Sequence, residues 1–127
     1  MKKELAKVVD AKIIVERGAF LTFRIKLDYE GPGVQSFGGY ALDTYDEEKE
    51  RRVGTAGGCD VIKQLLSLFE VNTFDKMIGR VVYVLKEDDK SIIEGLEIPG
   101  FDGGGKFLVS EWREEWFEKD KVSIYKE

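Results

Sequence analysis

From Leu21 to Asp28, apolar and polar residues alternate without a break: Leu21, Phe23, Ile25 and Leu27 interleave with Thr22, Arg24, Lys26 and Asp28. A period of two belongs to a strand with one dry face and one wet face, and no helix gathers such a set onto one side. The chain is thereby committed to a sheet whose dry face must be covered by other elements. The preceding residues 8–16, Val-Val-Asp-Ala-Lys-Ile-Ile-Val-Glu, are rich in β-branched side chains, and Arg17-Gly18 separates the two runs.

Further elements follow from the same reading. Gly31-Pro32-Gly33 is a turn signal, and residues 34–42 make a third strand with Gly38-Gly39 in its middle, where a bulge, a bend or a close approach is expected. Residues 43–53 read as a charge-rich connection. Residues 60–70 read as the main amphipathic helix, with Val61, Ile62, Leu65, Leu66, Leu68 and Phe69 on its apolar face. A short helical turn is expected at residues 73–77, with Thr73 as its cap and Gly79 after it. The unbroken run Val81-Val82-Tyr83-Val84-Leu85 predicts a central strand covered on both faces. After an acidic turn at residues 87–90, a strand at residues 91–98 ends at Pro99, and its apolar phase slips at Gly95, a candidate bulge. A flexible glycine loop at residues 99–105 leads to a brief strand at 106–109. Ser110 is placed to cap a last helix carrying Trp112 and Trp116, and a polar tail starts at Glu118. The predicted class is α+β: an antiparallel sheet of about five strands, one main helix and a C-terminal helical segment, in a single domain over residues 1–127.

Composition narrows the chemistry. The 127 residues include no histidine and one cysteine, Cys59, which excludes a histidine triad, an imidazole base, a Cys/His zinc cluster and an intramolecular disulfide. Lys+Arg number 20 against Asp+Glu 25, a net charge of −5 that disfavours long nucleic acid but leaves room for a small anion beside a few arginines. No apolar segment has the length of a membrane span or the form of a leader, so a cytoplasmic protein without metal or cofactor is expected.

Three constellations could hold a ligand. Gly54-Thr55-Ala56-Gly57-Gly58, preceded by Arg51-Arg52, opens onto a helix whose first N–H groups suit a phosphate; the alternative is a tight loop with Asp60 as helix cap. Gln35-Ser36-Phe37-Gly38-Gly39-Tyr40 sets an amide, a hydroxyl and two aromatics around a glycine pair that a ribose or base could approach. The alternative is a bulged strand with Phe37 in the core. In Trp112-Arg113-Glu114-Glu115-Trp116-Phe117 the tryptophans share a helix face, suited to core or interface packing, and Arg113 is placed for ligand contact. Among the acids Asp43 is the one candidate base, and Cys59 reads as a small packed residue.

Together, Gln35-Ser36-Phe37-Gly38-Gly39-Tyr40-Ala41-Leu42-Asp43 and Arg51-Arg52-Val53-Gly54-Thr55-Ala56 resemble a family of small phage proteins, the first-described Thoeris anti-defence sponges. The resemblance implies a non-enzymatic protein that sequesters a cyclic ADP-ribose isomer made by bacterial TIR-domain immune enzymes. It further implies a separate capacity for cyclic oligonucleotides and oligomers built from dimers. The binding residues it implies are Gln35, Ser36, Phe37, Gly38, Gly39, Tyr40, Arg51, Arg52, Gly54, Thr55, Ala56, Gly57 and Arg113. The competing expectation is a phage interaction protein that blocks a host protein through an acidic, aromatic surface centred on Trp112 and Trp116.

Overall fold

In the computed structural model, residues 1–87, 92–100 and 105–120 are described, with side chains through residue 116. Strands β1 (Lys2–Glu16) and β2 (Phe20–Tyr29) form the hairpin that the alternation demands. Its turn has φ of 53° at Arg17 and 64° at Gly18, the type I′ signature that matches strand twist, and the Ala19 N–H donates to the Glu16 carbonyl at 2.9 Å. Strand β3 (Val34–Gly38) adds to the other edge of β2.

The expected strand over residues 34–42 stops at Gly38. Gly38 and Gly39 have φ of 126° and 85°, and a Cβ at Gly38 would lie 2.1 Å from the Phe23 carbonyl oxygen. The glycine pair is therefore a bend that ends the strand while the backbone stays close to β2. The Gly39 N–H donates to the Phe23 carbonyl at 2.9 Å, and the Leu42 N–H to the Leu21 carbonyl at 2.8 Å.

The expected charged connection is instead a second, two-stranded sheet of β4 (Asp43–Asp46) and β5 (Arg51–Gly54). No apolar alternation announces it, because it is held by polar contacts. Asp46 Oδ1 accepts the N–H groups of Glu48 and Lys49 at 2.9 and 3.2 Å, closing the turn.

Helix α1 (Ala56–Phe69) begins four residues earlier than the sequence suggests. Thr55 is its cap: Oγ1 accepts the Gly58 N–H at 2.9 Å and donates to the Leu42 carbonyl at 3.1 Å. Capping and close packing outweigh the poor helix propensity of Gly57 and Gly58. The helix ends at Glu70, left-handed at φ 55°, with the Val71 N–H bonded to the Leu66 carbonyl at 3.0 Å. A 3-10 turn, Phe74–Met77, follows; Thr73 precedes it without a side-chain cap bond.

Strand β6 (Val81–Lys86) lies between β1 and β7 (Ile93–Glu97), and β8 (Lys106–Leu108) closes the far edge, giving the antiparallel order β3-β2-β1-β6-β7-β8. Six strands replace the expected five because the brief strand at 106–108 joins the sheet. The register slips between Leu85 and Lys86, leaving Glu94 unpaired beside Gly95, the bulge that the slipped phase indicates. Strand β6 is central, but its cover is uneven: Val82 and Val84 are fully buried, whereas Val81 on the opposite face is 46% exposed. Helix α2 (Val109–Asp120) starts one residue before Ser110, which is therefore not its cap, and runs past Glu118.

The core gathers Val8, Phe23, Ile25, Leu27, Val82, Val84 and Leu96 of the sheet with Val61, Leu65 and Phe69 of α1 and Trp112 of α2. The architecture is α+β. Among the described residues no helix is long and apolar enough to cross a membrane. The expected acidic turn beyond Glu87, residues 101–104 of the glycine loop, the Phe117 side chain and residues 121–127 lie outside the described residues.

Candidate functional site

Tyr40 follows the glycine bend, and the bend aims it. Leaving the strand at Gly38 turns residue 40 over the end of the β2–β3 ladder, where its carbonyl accepts the Thr22 hydroxyl at 2.6 Å. Its ring meets Trp112 edge-on at 5.8 Å between centroids and Phe37 at 6.2 Å. The Arg113 guanidinium lies over the ring, 4.9 Å from its centroid. Burial pushes the Tyr40 phenol above its ordinary range; the Arg113 charge pulls it down and the Glu94 charge pushes it up. The hydroxyl is accordingly a neutral donor and acceptor at physiological pH.

The first turn of α1 reaches the same cluster through α2. Trp112 Nε1–H donates to the Gly57 carbonyl at 2.8 Å, and Trp116 Nε1–H donates to Asp60 Oδ2 at 2.9 Å. Asp60 also accepts Gln64 Nε2–H at 2.7 Å. Asp60 is thus an anchor for α2 rather than the helix cap. The two tryptophans share a face, as their spacing predicts, and that face packs on α1. Trp112 is only 1% exposed, so the surface patch expected of the two tryptophans loses its centre. Arg113, one position on, is directed at Tyr40.

Other predicted residues have different placements. Arg52 is tied to Asp43: its Nε and Nη2 reach Asp43 Oδ1 at 3.1 and 2.9 Å, while Asp43 Oδ2 accepts the Leu21 N–H at 3.0 Å. Both carboxylate oxygens of this 8%-exposed acid serve the junction of β2 with the small sheet, which leaves it poorly placed to act as a base. Arg51 is exposed on β5, and its guanidinium reaches the Arg52 carbonyl at 3.3 Å. Phe37 is a core residue that joins the cluster from below. Ser36, one residue away, faces the opposite side of the sheet, in a cavity of about 300 Å³ whose lining mixes Lys12, Arg24 and Lys26 with the acids Asp10 and Glu16. Gln35 accepts the Tyr29 hydroxyl at 2.6 Å. A Cβ at Gly39 would meet the Arg24 guanidinium at 2.8 Å. Gly54, Thr55 and Ala56 lead into α1, and Cys59, expected to be packed, is exposed.

Phe37, Tyr40, Gly57 and Arg113 are therefore brought into one cluster, with Thr55 adjoining through the first turn of α1, whereas Ser36 is on the other face. The sequence reading missed Glu94 as a neighbour of this cluster. The slipped phase at Gly95 was its signal, because a bulge re-aims the residue it inserts. A larger cavity, about 540 Å³, lies at the other end of α1, lined by Lys63, Gln64, Ser67, Leu68, Lys106 and Phe107 among others. Among the described residues no group of three or more His, Cys, Asp or Glu side chains is placed to hold a metal ion.

Comparison with protein-family models, with curated proteins and with solved structures returns no match.

Proposed function

We propose that this chain is a phage anti-defence protein of the bacterial cytoplasm that binds a cyclic ADP-ribose isomer and sequesters it without cleaving it. The carrying observation is the cluster itself: Arg113 stacked on Tyr40 beside the first turn of α1. A guanidinium on an aromatic face keeps in-plane N–H donors for a phosphate, and the helix start adds a partial positive charge. The Tyr40 hydroxyl and the Glu94 carboxylate supply a donor and acceptors of the kind that ribose hydroxyls engage. Holding a signal molecule requires affinity and no reaction, which agrees with a chain without histidine. Cyclic oligonucleotides are a second ligand class within the proposal, and assembly from dimers is part of it.

The test is capture and release. After incubation with a cyclic ADP-ribose isomer and removal of free ligand, heating the protein should return the isomer intact by mass spectrometry. Linear ADP-ribose in that fraction would convert the reading into an enzyme, and calorimetry without binding to any isomer would end it. Arg113→Ala should weaken binding by about tenfold or more, the loss expected for a hydrogen bond to a charged group.

A further inference from the structure

Arg24 stands on the wet face of β2, between the buried Phe23 and Ile25, and it is held from two sides. Glu16, the last residue of β1, accepts its Nε–H at 2.9 Å and its Nη2–H at 2.6 Å, both on Oε1. The Glu16 backbone is fixed in turn by the tight turn that follows it, through its carbonyl and the Ala19 N–H. On the other side the guanidinium meets the glycine bend. A Cβ at Gly39 would lie 2.8 Å from Nη1, 3.1 Å from Cζ and 3.2 Å from Nη2. Three nearly equal distances mean that the flat face of the guanidinium, and not its edge, lies against the bend. The Arg24 and Glu16 side chains are 37% and 25% exposed, and an ion pair so close to water adds little to stability. Its consequence is geometric.

The segment that carries Tyr40 is tied to the edge of β2 by three bonds: Gly39 N–H to the Phe23 carbonyl at 2.9 Å, the Thr22 hydroxyl to the Tyr40 carbonyl at 2.6 Å, and Leu42 N–H to the Leu21 carbonyl at 2.8 Å. Bonds along one edge define an axis and do not by themselves fix the rotation of the segment about it. Contacts on the two faces do. On the dry face the Tyr40 ring meets Phe23, Phe37 and Trp112, and on the wet face Arg24 backs Gly39. We infer that Arg24 is a positioning residue for the ligand site: anchored by Glu16, it braces the Gly38–Gly39 bend and fixes the direction in which Tyr40 is presented to Arg113. The inference rests on the ligand reading for the affinity it governs. It puts part of the control of that affinity on the face of the sheet opposite the aromatic cluster, transmitted through the backbone of two glycines.

Two readouts test it, one with ligand and one without. In calorimetry with a cyclic ADP-ribose isomer, Arg24→Ala should weaken binding about tenfold, the size of a coupling between residues in contact. Arg24→Lys, which keeps a charge for Glu16 but has no plane to lay against Gly39, should not recover the loss. Glu16→Gln, which loosens the anchor and leaves Arg24 in place, should act in the same direction by less. Lys3→Ala breaks an ion pair to Glu97, 3.0 Å long, at the other end of β1, and should bind as wild type. The second readout is the phenol titration of Tyr40, taken by difference against Tyr40→Phe in each background. Arg24→Ala should bring it down toward the ordinary tyrosine value, because a loosened ring meets more water. Simple removal of a cation would move it up, so the sign separates bracing from charge. Wild-type affinity in Arg24→Ala or Arg24→Lys would overturn the inference, as would an equal loss in Lys3→Ala or a Tyr40 titration in Arg24→Ala that stays or rises. Wild-type protein that binds no isomer would end the ligand reading instead, and the Tyr40 titration would then decide the bracing alone.

Discussion

Gly58 occupies a place that no side chain fits. A Cβ there would stand 2.2 Å from the Leu42 carbonyl oxygen, whereas a Cβ at Gly54 would meet nothing within 4 Å. Two glycines of one motif thus have different reasons, and a matched pair of variants separates them. Gly58→Ala should cost about 1–3 kcal/mol of stability in urea unfolding, the range for overpacking a tight contact, while Gly54→Ala should stay within about 0.5 kcal/mol of wild type. Equal effects at the two positions would contradict the packing account. Tyr40 makes the corresponding electrostatic prediction. Its folded phenol ionises above the value of an unfolded tyrosine, about 10, because burial disfavours the phenolate. The stability that the neutral form contributes is whole below about pH 10 and is lost as pH rises through the folded value. Stability measured above pH 10 should accordingly fall more steeply for wild type than for Tyr40→Phe, and parallel profiles would remove the role assigned to burial.

At the scale of elements, the site depends on where α1 begins. Thr55 takes the Gly58 N–H and gives its own hydroxyl proton to the Leu42 carbonyl, so one side chain joins the helix start to the segment that follows the Tyr40 bend. Thr55→Ala should destabilise the fold by about 1 kcal/mol, and Thr55→Ser, which keeps the hydroxyl, should restore most of it. Loss of the same magnitude in both variants would point to the methyl group instead of the cap. Helix α2 adds the second restraint, because Trp112 and Trp116 fasten it to Gly57 and Asp60 and so bring Arg113 over Tyr40. The Arg113 position is an outcome of two indole hydrogen bonds made by its neighbours on the helix.

For the whole molecule, a protein that holds its ligand only when folded must be stabilised by it. At ligand concentrations 100-fold above Kd the added stability is about 2.7 kcal/mol, and the unfolding midpoint should climb logarithmically with further ligand. A midpoint indifferent to the cyclic ligand would be incompatible with the proposal. The same titration on Arg113→Ala should need about tenfold more ligand for an equal shift.

Local physics was legible along the chain wherever a residue's neighbours in sequence determine its state. The alternation from Leu21 to Asp28 dictated β2, Arg17-Gly18 marked a tight turn, and the slipped phase at Gly95 marked the bulge. The shared face of Trp112 and Trp116 followed from helical spacing alone. What stayed hidden depended on partners distant in sequence. The β4–β5 hairpin has no apolar pattern because an ion pair between Arg52 and Asp43 and the Asp46 turn hold it. The early start of α1 runs against glycine propensity because Gly58 must clear the Leu42 backbone. By itself the sequence determined an α+β chain with a hairpin at its head, a glycine-interrupted aromatic segment and an arginine near its end. Only the tertiary structure decided that Tyr40, Gly57 and Arg113 meet, since each is positioned by contacts made more than fifteen residues away, and that β1 outruns β6, since strand lengths become comparable only once they are paired.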